Sequence, residues 1–201
     1  MKASRSYSMG ARADAVVATR ERIVTVAVGL FYEHAYEDVT LAGIAKAAGV
    51  SHQTVLNHFE SKEGVVLAVA AKMAEETTDA RYQAEPGDVV GAVHVLVGQY
   101  ELHGDANVRW AMTADRLPTL APLLDEARAF HQEWIRHMFG ARVGVTGAAL
   151  GRTVNALHAA TDVYTWKLLR RDLGVSRAET ESTIVQLVEG LLDTTNQEHR
   201  S

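Results

Sequence analysis

The chain has 201 residues, 47% of them apolar, three prolines and a formal charge of −5. That length supports one large or two small domains with a sizeable core, and no apolar run approaches the roughly 20 residues that span a bilayer. Cysteine is absent, which excludes disulfides, thiolate metal sites and cysteine nucleophiles, and the N-terminus lacks the apolar stretch of a secretory signal, so a cytoplasmic location is expected.

Residues 1–12 are polar, small and basic, and 1–18 are expected to form a flexible basic arm. A helix should begin between Asp14 and Thr19 and run to about His34, burying Ile23, Ala27, Leu30 and Phe31. Residues 39–63, VTLAGIAKAAGVSHQTVLNHFESKE, then read as two short helices around a tight turn and the start of a longer helix. Thr40 suits an N-cap, with Ile44, Ala45 and Ala48 turned inward. Gly49 falls where a left-handed or tightly turned backbone is needed, a conformation only glycine takes without steric cost. Ser51 can cap the second helix, which carries Val55 inward and leaves His52, Gln53, Thr54 and Asn57 able to point outward. A capped helix held across another by a short glycine-containing turn is the helix-turn-helix arrangement, whose second helix enters the DNA major groove. Periodicity alone leaves an ordinary helical hairpin equally open.

Ser61 caps a fourth helix with Val65, Ala68, Val69, Lys72 and Met73 along one side. Glu85-Pro86-Gly87 breaks the pattern, and Asp88 can cap DVVGAVHVLVGQYELHG. DANVRWAMTADRL predicts a separate, shorter helix ending before Pro118. An amphipathic segment follows from about Thr119 to Phe139, with Leu123, Ala127, Phe130, Trp134 and Met138 on one face, and GARVGVTG reads as a loop. A helix is expected from about Thr146 to Asp172, marked by Leu150, Val154, Leu157, Thr161 and Leu168. The last helix opens on a capping box, Ser176 to Glu179, and repeats Ile184, Leu187, Val188, Leu191 and Leu192 at helical spacing. No strand, repeat or low-complexity segment stands out, so the fold class is all-α with about nine helices.

One helix, a helix-turn-helix and a helical body resemble the TetR family of transcriptional regulators. Residues 19–69 carry the resemblance: Leu30-Phe31, Tyr36, Thr40, Ile44-Ala45, Ala48-Gly49-Val50-Ser51, Thr54, His58-Phe59 and Ser61-Lys62-Glu63 follow the family pattern at fixed spacing. Beyond residue 75 the likeness is architectural. It implies a DNA-binding domain over 19–63 and an effector-binding and dimerisation domain over 64–201. The chain departs from the pattern at Leu56, where the family often has Tyr, at Ala35, where it usually has Gly, and at Leu41-Ala42-Gly43, where some members have a polar reader.

Within that frame Gln53 is the expected base reader, because one amide can donate to and accept from a single adenine edge. His52 and Asn57 are its candidate partners, and Leu56 offers an apolar contact to a thymine methyl. Thr40, Ser51, Thr54, His58 and Lys62 are assigned to phosphates, which fix register without specifying sequence. The charge is arranged consistently. Residues 1–63 carry seven basic and seven acidic residues, so the whole −5 belongs to 64–201. Only a modest electrostatic contribution per subunit follows, and a homodimer through the last two helices, facing a palindromic operator in double-stranded DNA, is expected to supply the rest.

The resemblance also implies a small-molecule effector of unknown identity, in a pocket to which Tyr100, Trp110, His131, Trp134, His158 and Asp162 contribute. Plain core packing accounts equally well for any one of them. No catalytic residue, cofactor or metal is expected. The sequence holds no His-Glu-x-x-His, Gly-rich phosphate loop or Gly-x-Ser-x-Gly turn, and His131, Glu133 and His137 do not share one helix face at metal-ligand spacing. A helical dimer that acts through protein contacts, with weak or no DNA binding, is the alternative.

Overall fold

The computed structural model describes residues 3–114, 117 and 120–198, and among these the chain is helical without a strand. It divides into two compact units, residues 1–73 and 74–201. The division falls inside the fourth helix rather than at residue 63, and the early part of that helix contributes Val65, Val66 and Val69 to buried surface.

The first unit contains α1 (Ala3–Glu33), a 3-10 turn (Tyr36–Asp38), α2 (Leu41–Ala48), α3 (His52–Phe59) and the start of α4 (Lys62–Arg81). Helix α1 buries Ile23, Val24, Ala27 and Phe31. It begins at Ala3 instead of between Asp14 and Thr19, taking in most of the segment expected to be a flexible arm. Residues 12–18 are solvent-exposed, so this extension rests on propagation from the packed half, since each added residue brings a hydrogen bond once the helix is nucleated.

The second unit holds the rest of α4, then α5 (Val89–Ala114), α6 (Ala121–Phe139), α7 (Gly147–Thr161), α8 (Val163–Lys167), a π-turn (Leu168–Asp172) and α9 (Arg177–Glu198). Its core is built from Leu96, Val97, Trp134, Met138, Phe139, Leu157, Trp166, Ile184, Val188 and Leu192. Helix α5 packs on α6, α8 and α9, and α7 packs on α9.

Two boundaries differ from the sequence reading. Residues 89–114, expected to fall in two helices divided after Gly104, form the single helix α5, which passes through Gly104 without a break. Its expected end before Pro118 and the expected start at Thr119 both involve positions outside the described residues. Conversely, the long helix expected to run to Asp172 is interrupted at Asp162, whose ψ of 152° is extended. The Asp162 carboxylate then accepts the Tyr164 amide at 2.8 Å and restarts the chain as α8. The interruption carries Leu168 off the buried stripe, leaving it 50% exposed. In α6 the buried stripe is His131, Trp134, Ile135, Met138 and Phe139, one position round from the expected face, and Ala127 is exposed.

Candidate nucleic-acid interface and effector site

In the first unit, three caps fix α2, α3 and α4 in sequence. Thr40 Oγ1 accepts the Gly43 amide at 3.0 Å, Ser51 Oγ accepts the Thr54 amide at 3.0 Å, and Ser61 Oγ accepts the Gly64 amide at 3.2 Å. Between the first two, Gly49 takes φ 66° and ψ 36°, and its amide reaches back to the end of α2. Ile44, Ala45, Ala48, Val55 and Phe59 are buried, so the two short helices share one core with α1. Helix α3 closes at Glu60 with φ 64°, a strained value for a residue with a side chain.

This core leaves His52, Gln53 and Asn57 exposed on the outer side of α3, with Leu56 and His58 half-buried beside them. Gln53 Nε2 donates to Asn57 Oδ1 at 2.9 Å, which restrains both amides while leaving the Gln53 oxygen and the Asn57 nitrogens unused by that bond. The Ser51 and Thr54 hydroxyls are 2.8 Å apart and share one hydrogen, leaving the other hydroxyl hydrogen free of that bond. Lys62 is less available than its sequence position suggests. Its ammonium donates to the Tyr36 carbonyl and lies 3.9 Å from the Tyr36 ring centre, and its burial lowers its pKa against the opposing pull of Glu37, Glu63 and Asp38. Arg22 donates to the Ala48 carbonyl at 3.0 Å, and Arg20 lies over the Phe59 ring. These three cations therefore also serve as internal struts.

In the second unit, five of the six expected effector-site residues lie in one linked cluster, around a residue the sequence reading missed. Arg81, at the end of α4, is 6% exposed. Its Nε donates to Gln99 Oε1 at 2.9 Å, its Nη1 meets His131 Nδ1 at 2.6 Å, and its Nη2 donates to the Tyr100 hydroxyl at 3.3 Å. Trp134 Nε1 donates to the Arg81 carbonyl at 3.2 Å.

His131 Nε2 is 2.9 Å from the Thr161 hydroxyl, which in turn lies 2.7 Å from the Leu157 carbonyl. A guanidinium can only donate, so His131 Nδ1 accepts, Nε2–H donates to Thr161, and Thr161 donates to Leu157. Burial, the Arg81 charge and His158 push the His131 pKa down to about 2, so this ring is neutral. His158 stands edge-on to His131 with centroids 4.6 Å apart, and its Nε2 is 3.3 Å from Asp162. Trp110 is the exception: it lies about 15 Å of helical rise beyond Tyr100 along α5.

No sequence signal isolates Arg81, because a basic residue in the last turn of a helix is ordinarily a solvated one that favours the helix dipole. Its partners arrive from α5 and α6, far away in sequence. Among the described residues no group of three or more His, Cys, Asp or Glu is arranged to hold a metal ion, and no helix is long and apolar enough to cross a membrane.

Comparison with known proteins agrees with this architecture. The family description "Bacterial regulatory proteins, tetR family" matches residues 23–69. The HTH-type transcriptional repressor AcnR of Corynebacterium glutamicum is 30% identical over 191 residues, covering 90% of this chain and 95% of that protein. AcnR of Corynebacterium efficiens is 34% identical over 91 residues, and that match spans 45% of each chain. Among solved structures, a tetR-family transcriptional regulator from Streptomyces coelicolor superposes with a TM-score of 0.74 at 19% identity, covering 90% of this chain and 83% of that one. A TetR-family regulator from Mesorhizobium loti gives a TM-score of 0.63 at 18% identity, over 89% and 97% of the two chains. At those identities the two structures speak to fold.

Proposed function

The chain belongs to the TetR family of bacterial regulatory proteins, and on that premise we propose that it is a sequence-specific transcriptional repressor, released from a palindromic operator by a small-molecule effector. The observation that carries this reading is the outer side of α3, where the exposed Gln53–Asn57 pair lies in the first two turns after a capped helix N-terminus. With its amide restrained by Asn57, Gln53 keeps an oxygen to accept from adenine N6 and a second N–H to donate to N7. His52 and Leu56 flank it as further base contacts. Thr40, Ser51, Thr54 and His58 take phosphates, with the amides at the α3 N-terminus helping. Lys62 adds its charge from the position where Tyr36 holds it.

A single recognition helix binds weakly, so the working form is a homodimer through the exposed faces of α7 and α9, and its twofold axis demands an operator of matching symmetry. Such a protein works in the cytoplasm, alongside its operator. The effector occupies the cluster around Tyr100, His131, Trp134, His158 and Asp162, with Trp110 as an outlying member. It lowers operator affinity by the factor by which the operator lowers its own.

The test is selection of random double-stranded DNA by the purified protein at moderate salt, with sequencing of the bound fraction. An enriched palindrome containing adenine opposite Gln53, which relaxes at that position in Gln53→Ala, is the expected result. A folded, dimeric protein that enriches nothing would overturn the operator reading and favour a dimer acting through protein contacts.

A further inference from the structure

Arg81 is a buried cation whose direct partners are all neutral. Gln99, His131 and Tyr100 engage three N–H groups of its guanidinium, leaving two of the five such a group carries. Among the described residues no carboxylate forms an ion pair with it. The cluster does contain one acid, Asp162, but that carboxylate is committed elsewhere. His158 lies 3.3 Å from it and the Tyr164 amide donates to it at 2.8 Å. Burial works to raise its pKa, and those two bonds, with the charges of His158 and Arg128, outweigh it and lower the pKa. His131 supplies no counter-charge either, being neutral and oriented by the relay to Thr161. The rings of Tyr100, Phe130 and Trp134 lie 5.6, 6.0 and 5.3 Å from the guanidinium carbon. They offset part of the desolvation of the charge without neutralising it, and a buried charge lacking an opposite partner is the costly arrangement in a protein interior.

We propose that the effector of this protein is a carboxylate-bearing small molecule with an apolar body, whose negative charge pairs with Arg81. This rests on the effector reading above and specifies its chemistry. One N–H is left on each of Nη1 and Nη2, the two nitrogens that an end-on carboxylate engages together. The rings of Tyr100, Phe130 and Trp134 beside Arg81 are the apolar groups such a body would meet once the cluster opens to admit it. The net acidity of the chain would suggest a cationic ligand, but a cation at this site faces an uncompensated guanidinium and is repelled.

The test uses the full-length protein and probes that share a skeleton and differ in charge: benzoate, benzamide and benzylamine, and hexanoate, hexanamide and hexylamine. Binding is read by tryptophan fluorescence, since Trp134 lies against Arg81, and by thermal shift. The carboxylates should bind and the amides and amines should not. In Arg81→Gln carboxylate affinity should fall at least tenfold, with circular dichroism confirming the fold. Should that variant not fold, Arg81→Lys keeps the charge and loses the fork, and should bind the carboxylates more weakly than wild type. If an amide or amine binds as well as its acid, or if either variant binds the acid unchanged, the carboxylate class is wrong and the effector site stands. If no probe of any charge binds, both the proposal and its premise fall.

Discussion

At the residue scale, His131 makes the second unit sensitive to acid. Its pKa is held near 2 in the folded protein, first by burial, then by Arg81 and His158, against about 6.5 in an unfolded chain. The unfolded state thus takes up a proton that the folded state refuses. The stability tied to neutral His131 is fully present above about pH 6.5 and declines as pH falls toward 2, by up to about 1.4 kcal/mol per pH unit. Carboxylates with depressed pKa values, such as Glu101 at about 2 under the hydrogen bond from Arg170, lose their contribution only as pH falls below about 4.5. The interval between about 6.5 and 4.5 therefore separates histidine from carboxylate contributions, and the comparison with a variant at 131 singles out this ring. His131→Gln, which can still accept from Arg81 and donate to Thr161, should be less stable than wild type at neutral pH because the stacking on Trp134 is lost. The gap should narrow as pH falls through that interval. Urea titrations followed by tryptophan fluorescence measure it, and two parallel pH profiles would contradict the assignment.

At the element scale, the approach of α5 to α8 is set by Gly104. A Cβ there would lie 2.4 to 2.8 Å from three ring atoms of Trp166, a fully buried side chain whose Nε1 donates to Glu101 at 2.9 Å. Alanine normally favours a helix interior by about 1 kcal/mol over glycine. Here overpacking should dominate, and Gly104→Ala is expected to cost about 1–3 kcal/mol net, read as a lower urea midpoint. An unchanged or raised midpoint would mean that α8 shifts freely. Gly104 also shows where the sequence misleads. A glycine flanked by His103 and Asp105 reads as a helix end, and only the distant Trp166 explains an unbroken α5. Asp162 is the reverse case, since one aspartate within an apolar periodicity gives little warning of a break made by its own side chain. By contrast, the caps at Thr40, Ser51 and Ser61 and the left-handed Gly49 were legible, because each is decided within about four residues. The outward face of α3 followed from those caps, and the cluster around Arg81 did not, because four helices assemble it.

At the scale of the whole molecule, the last helix carries more apolar surface than its own core consumes. Ile184, Val188 and Leu192 are fully buried, whereas Leu187 is 44% exposed. Leu187, Gly190 and Leu191 form with Ala156 and Ala159 of α7 a shallow groove floored by small residues. A stripe too wide for one core, beside residues small enough for close helix approach, is what a four-helix contact between two copies requires. It was visible in the sequence as the repeat that includes Leu187 and Leu191. A glutamate at 187 should find water in the monomer, so Leu187→Glu is expected to change the stability of the isolated subunit by no more than about 0.5 kcal/mol. Across the twofold axis proposed above, the same substitution would bring two charges onto an apolar contact, and that dimer should weaken by at least tenfold, about 1.4 kcal/mol. Sedimentation at micromolar concentration reads the change directly, and operator binding should become steeper in protein concentration as free monomers must first pair. If Leu187→Glu sediments as the wild type does, the proposed dimer does not form through this face, and the exposed Leu187 needs another explanation.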